Sequence, residues 1–188
     1  SKPYFSDNIR YIAFRDSYGS VDQTYFLQQR WESQEMDPEM PTVGQLLDRA
    51  YLAEGEDTPE RDSLRQQLYD IFQMRPLLDK PIILLSSGEL RKYVITRTLF
   101  AEARLLIIDN PFIGLDASTR DQLKMLLAAY VARTSTLMVL VLSKTDDIPD
   151  FITHVVEVND RTVAPKVTRE EYLDNLQAVT LPSLADDK

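Results

Sequence analysis

The stretch from Leu85 to Asp116, LSSGELRKYVITRTLFAEARLLIIDNPFIGLD, decides how the chain is read. It opens on Ser86-x-x-Glu89, the pattern of a capping box, in which a serine hydroxyl and a glutamate carboxylate satisfy free amides of a first helical turn. The pattern predicts a helix over residues 87–102. A helix start that carries a serine, a glycine and open N–H groups is also suited to an anion. Next, Leu105 to Asp109 forms an apolar run that ends in a carboxylate, with Asn110-Pro111 behind it. An aspartate leaving the end of a parallel strand stands where open α/β sheets bind ligands. It is placed to hold Mg²⁺ through water, since that ion keeps much of its hydration shell. Gly114-Leu115-Asp116 then reads as a tight turn into a helix over 117–133. Singly, each piece is also an ordinary cap, strand end or turn. Their order and spacing carry the reading.

Working outward, Asn8 to Phe14 (NIRYIAF) reads as a short strand rich in aromatic and β-branched residues. The run TVGQLLDRAYLA from Thr42 and the segment Arg61 to Phe72 have helical periodicity, so residues 31–85 look like an inserted, mostly helical lobe. Thr136 to Leu142 (TLMVLVL) is a second wholly apolar run. Strands this apolar are expected to be buried on both faces, as in a parallel sheet flanked by helices. Two shorter strands, His154–Val158 and Thr162–Val167, with a turn at Asn159-Asp160, and a final helix from Arg169 to Gln177 complete an α/β pattern.

Composition removes several function classes. The 188 residues carry 30 acidic against 21 basic side chains, a formal charge of −9, with the basic residues scattered. Bulk charge therefore argues against a nucleic-acid partner. Without cysteine there is no disulfide, thiolate metal site or cysteine nucleophile. A single histidine, His154, gives little support to zinc or serine–histidine chemistry and reads as structural. The five glycines lie at least eleven positions apart, which excludes both G-x-x-x-x-G-K and G-x-G-x-x-G loops from this stretch of chain. The opening SKPYFSDNIR does not read as a signal peptide, and no apolar run is long enough to span a bilayer.

The combination LSSGELRK…LLIIDNPFIGLD resembles the ATP-binding-cassette (ABC) ATPases. LSSGE looks like the family's signature motif, LLIID like its Walker B strand and GLD like its D-loop. More narrowly, VLVLSKTDDIPDF (Val139 to Phe151) resembles the N-terminal half of the tandem ATP-binding proteins of molybdenum transport and photorepair. The resemblance implies a P-loop NTPase-like, ABC-type fold, with a mostly parallel α/β core and an inserted helical subdomain, truncated at its N-terminus. It divides the chain into a core strand and Q-loop region (1–30), a helical subdomain ending in the signature helix (31–100), and a RecA-like core (101–188). It also implies ATP and Mg²⁺ as ligands and a second cassette, in the same polypeptide or as a homodimer, paired head to tail. Ser86, Ser87, Gly88 and Glu89 would meet ATP held by the partner cassette, Asp109 would serve Mg²⁺ through water, and Asp116 would lie at the seam. A membrane-transporter subunit and a cytoplasmic place, peripheral to the inner membrane, belong to the same expectation.

Four positions depart from the family pattern. The Walker A loop is absent, and a complete domain calls for about 60–80 further N-terminal residues, so the chain is read as a fragment expected not to hydrolyse ATP alone. Asn110 stands where the family has its catalytic glutamate; an amide can orient a water but cannot take its proton. Ser143 stands at the switch-histidine position, with Lys144 as its neighbour. The Q-loop glutamine is open: Asp16 directly follows the first strand, while Gln28 and Gln29 come later, in YFLQQRW. Gln28 is the candidate to contact metal or nucleophilic water. The expected function is an ABC-type ATP-binding protein of weak hydrolysis, with a non-hydrolytic, nucleotide-gated scaffold as the alternative and a conventional importer ATPase as a third reading.

Overall fold

The computed structural model describes residues 8–14, 40–143 and 148–180. Lys144 and the candidates Asp16, Gln28 and Gln29 lie outside them. The chain divides into two compact units, Ser1–Thr145 and Asp146–Lys188.

In the first unit, strand β1 (Ile9–Ala13) is followed by helices α1 (Val43–Ala53), α2 (Pro59–Ile71) and α3 (Ser87–Leu99). Strand β2 (Leu105–Asp109), helix α4 (Ala117–Arg133) and strand β3 (Leu137–Val141) complete it. The strands form one parallel sheet in the order β1-β2-β3, in a register that aligns Ala13, Asp109 and Val141. All three chain exits toward the candidate site thus lie at one end of the sheet.

Local chemistry explains the helix starts. Thr42 caps α1 through the amide of Gln45, whose side chain returns to the Thr42 amide at 3.0 Å. The first amides of α1 donate to the carbonyls of Lys80 and Leu78, so the connector ahead of α3 also closes the end of α1. Thr58 caps α2 and Pro59 occupies its first turn, where a missing N–H costs nothing. Burial then assembles the lobe. Val43, Leu47, Leu68, Phe72, Met74 and Ile95 lose all contact with solvent. Arg61 and Arg65 stack on the Tyr51 ring at 4.4 and 4.5 Å, and the Tyr51 hydroxyl donates to Asp57 at 2.7 Å.

One buried group stands out as a cost. Thr96, on α3, is fully buried, and its hydroxyl has no hydrogen-bond partner among the described residues. A buried hydroxyl left unpaired costs about 1–3 kcal/mol. Thr96→Val, which keeps the shape and removes the polar atom, is expected to raise the melting temperature by about 2–4 °C for each kcal/mol recovered. Calorimetry showing a lower Tm would mean that the hydroxyl has a partner after all.

The sheet differs from the expectation of strands buried on both faces. Ile12, Leu106 and Ile108 face the helices and are buried, whereas Tyr11, Leu137, Val139 and Val141 are exposed, Leu137 by 70%. Among the described residues one face of the sheet is buried and the other is largely open. The apolar run marks a strand, yet hydrophobicity alone cannot say that both of its faces meet a covering layer within this chain.

The second unit contains β4 (His154–Val155), β5 (Val158–Asn159), β6 (Thr162–Val163), β7 (Val167–Thr168) and α5 (Arg169–Thr180). Strands β4 and β7 pair antiparallel, as do β5 and β6. Asp160 and Arg161 both take positive φ, at 44° and 65°. That geometry joins a two-residue hairpin whose twist matches its strands. His154 is exposed on β4, with its Nδ1 3.0 Å from the Thr153 hydroxyl. Among the described residues no helix is long and apolar enough to cross a membrane.

Candidate functional site

The capping box at Ser86 forms as its pattern predicts, although the helix ends at Leu99 and not at residue 102. Ser86 caps α3: its hydroxyl accepts from the Glu89 amide at 3.2 Å, and Glu89 Oε2 accepts from the Ser86 amide at 2.8 Å. Ser86 and Ser87 remain exposed on the first turn of α3, where the positive end of the helix dipole lies. Glu89 does not leave a bare negative charge there. Lys80 Nζ lies 2.7 Å from its Oε2. Burial pushes the Glu89 carboxyl up, but the Lys80 ammonium and the Ser86 amide more than offset that and hold it below its ordinary value.

Gly88 has a packing reason to be glycine. A Cβ at that position would come within 2.5 Å of the Thr119 methyl on α4. Thr119 in turn holds Asp116, the N-cap of α4. Its amide donates to Asp116 Oδ1 at 3.0 Å and its hydroxyl to Oδ2 at 2.7 Å. These bonds, the hydroxyl first, draw the exposed Asp116 carboxyl below its ordinary value. The turn before it also needs glycine, since Gly114 has φ of +68°. The first turns of α3 and α4 are therefore packed together.

A second group gathers at the strand ends. Asp109 closes β2, and its Oδ2 accepts from the Tyr11 hydroxyl on β1 at 2.8 Å. Its carbonyl accepts from the Phe14 amide at 2.9 Å, while the Asn110 amide donates to Val141 at 2.8 Å. Asp109, Asn110 and the exposed Ser143 thus share one end of the sheet. Asn110 has φ of +51°, a left-handed conformation that asparagine tolerates better than most residues. The buried Arg91 of α3 bridges the two groups: its guanidinium donates to the Ile113 carbonyl and lies 5.1 Å from the Phe14 ring centre.

The site suits nucleotide chemistry in one respect and limits it in another. A carboxylate at a strand end, oriented by a tyrosine, fits Mg²⁺, which takes one or two carboxylates and fills its shell with water and phosphate oxygens. No cluster of three or more His, Cys, Asp or Glu side chains able to cage a metal occurs among the described residues.

No protein-family profile matches the chain. The curated relatives do. It is 38% identical over 120 residues to the ABC transporter ATP-binding protein ModF of Escherichia coli, covering 64% of this chain and 24% of ModF. An uncharacterised ABC transporter ATP-binding protein of Schizosaccharomyces pombe is 34% identical over 108 residues, 57% of this chain and 22% of that one. The chain is homologous to the ATP-binding proteins of ABC transporters.

Its match spans about a quarter of the length of those two ABC proteins. CbiO1 of Clostridium perfringens, described as part of the ABC transporter complex CbiONQ, superposes with a TM-score of 0.68 at 18% identity, over 93% of this chain and 62% of that one. That likeness establishes the ABC ATPase fold, and the parallel sheet with its helices agrees with it. Against that fold, Thr119, Lys80, Arg91 and Tyr11 are the neighbours that the ABC motifs did not reveal. Asp116-x-x-Thr119 was readable as a cap. Lys80 lies beyond Pro81 and carries no local mark.

Proposed function

We propose that the chain contributes one face of a head-to-tail pair of ABC cassettes with ATP held between them, and that its own catalytic end is hydrolytically weak. The observation that carries this reading is the exposed, capped first turn of α3, held against Asp116 through Gly88 and Thr119. Ser86 and the Gly88 amide meet the γ-phosphate of ATP bound by the partner cassette, supported by the α3 dipole. Ser87 and Glu89 shape the turn, and Lys80 cancels the Glu89 charge that would otherwise repel a phosphate. Asp116 touches the partner at the seam.

At the strand ends, Asp109 would serve Mg²⁺ through water, an ion that draws charge from the transferring phosphate. Tyr11 orients that carboxylate. Asn110 positions water without accepting its proton, and Ser143 offers no imidazole. Those two residues also favour the second reading, a nucleotide-gated scaffold that binds without turnover. Under either reading, residues 1–30 and 101–188 belong to the core and residues 31–100 to the helical subdomain, beside which a membrane-transporter subunit would dock. Gln28 is retained as the candidate beside metal or attacking water. The protein then works in the cytoplasm, at the membrane's inner surface.

Ser86→Asp tests the phosphate contact, because aspartate is as good an N-cap as serine while adding a charge. The natural full-length protein is expected to pair in the presence of ATP. The variant should keep its melting temperature and lose at least about tenfold in ATP-dependent pairing, which corresponds to about 1.4 kcal/mol. Equal pairing of the two proteins by analytical ultracentrifugation would remove Ser86 from the phosphate. Phosphate release measured in parallel separates the weak ATPase from the scaffold.

A further inference from the structure

We infer that Thr119 is a positioning residue that fixes the signature turn and the Asp116 carboxylate as a single rigid surface. The inference rests on the proposed pairing across ATP and deepens it. Thr119 is half-buried between the first turns of α3 and α4, and each branch of its side chain has a separate task. Its methyl occupies the space where a Gly88 side chain would begin, 2.5 Å from the Cβ position. Its hydroxyl donates to Asp116 Oδ2 at 2.7 Å, and its amide holds the other carboxylate oxygen at 3.0 Å.

A β-branched side chain in a helix has few accessible χ1 states. Turning the methyl away from Gly88 therefore turns the hydroxyl away from Asp116, and the reverse. The two groups offered to the partner cassette cannot move independently while both contacts hold. A shallow crevice lined by Gly88, Lys92, Leu115 and Thr119 marks the same seam. Burial there pushes the Lys92 ammonium down from its ordinary value, although Glu89 pulls the other way. Leu115 is buried on the α4 side of the seam. The lock lies at the junction of two helix starts. This explains why a threonine there and a glycine in the signature belong together.

The test separates the two branches in the natural full-length protein, with ATP-dependent pairing and melting temperature as readouts. Thr119→Val keeps the methyl shape and releases Asp116 Oδ2, leaving the carboxylate held by the backbone amide alone. It should weaken pairing by roughly fivefold to tenfold because the released oxygen no longer holds its place toward the partner, while losing the exposed bond itself lowers Tm by no more than about 6 °C. Gly88→Ala should lower Tm by roughly 3–10 °C through overpacking. Adding Thr119→Ser, which removes only the methyl, should restore both Tm and pairing. Thr119→Val pairing as tightly as the original, or a Gly88→Ala/Thr119→Ser protein no better than Gly88→Ala, overturns the lock. If the unsubstituted protein does not pair with ATP, the functional reading fails instead. The lock is then decided by Tm alone: rescue upholds it, and no rescue overturns it.

Discussion

Asn110→Glu is expected to raise ATP turnover by about 10²–10⁴ in the natural full-length protein, the usual worth of a positioned general base. The same change should cost stability. Asn110 adopts φ of +51°, and its amide and carbonyl are committed to Val141 and Ile113. A left-handed residue costs about 1–2 kcal/mol when its side chain cannot bond locally, and asparagine escapes part of that. The glutamate variant should therefore turn over faster while melting lower by about 2–4 °C for each kcal/mol of strain. Phosphate release and calorimetry on one preparation check both signs together. A variant that binds ATP as before yet gains no turnover would mean that the missing carboxylate is not what limits the reaction.

That opposition shows why Asn110 was only half legible. Its place after an apolar strand and before Pro111 marked both a turn and the position next to the candidate metal carboxylate. The backbone adds a reason for this residue type that is independent of catalysis. Features set by neighbours in sequence were readable in this way. Ser86 and Glu89 cap α3, Thr42 caps α1, and Asp109 ends its strand. Features set across space were not. Lys80 on Glu89, Tyr11 on Asp109 and Arg91 on Ile113 join residues between 9 and 98 positions apart, and nothing in the intervening sequence marks them. Gly88 is the instructive case. The motif marked it as part of a helix start suited to an anion, and the structure gives it a steric partner, Thr119, on another helix. The exposed sheet face failed for a related reason. Apolar composition reports that a side chain prefers burial, and the covering layer that would supply it is not written in the strand.

Phe72→Ala is expected to produce the largest loss of stability, about 3–5 kcal/mol, and so to lower Tm by roughly 6–20 °C. Phe72 follows the end of α2, is wholly buried, and has its ring centre 6.1 Å from that of Tyr130 on α4. The contact continues inward. The Tyr130 hydroxyl lies 2.9 Å from that of Thr136, which reaches the Ala103 carbonyl at 3.4 Å. Those residues stand just ahead of β3 and β2, the strands that end at the candidate site. Removing the ring leaves a cavity between the helical lobe and α4 that neither side can close by a rotamer change alone. Phe72→Leu retains most of the volume and should lose less than half as much, since the cost of truncation follows the cavity left behind. Denaturant melts of the two variants decide the point. Equal, small losses would show that Phe72 does not hold the lobe against α4, and the join would then rest on other contacts such as the Gln73–Gln122 hydrogen bond.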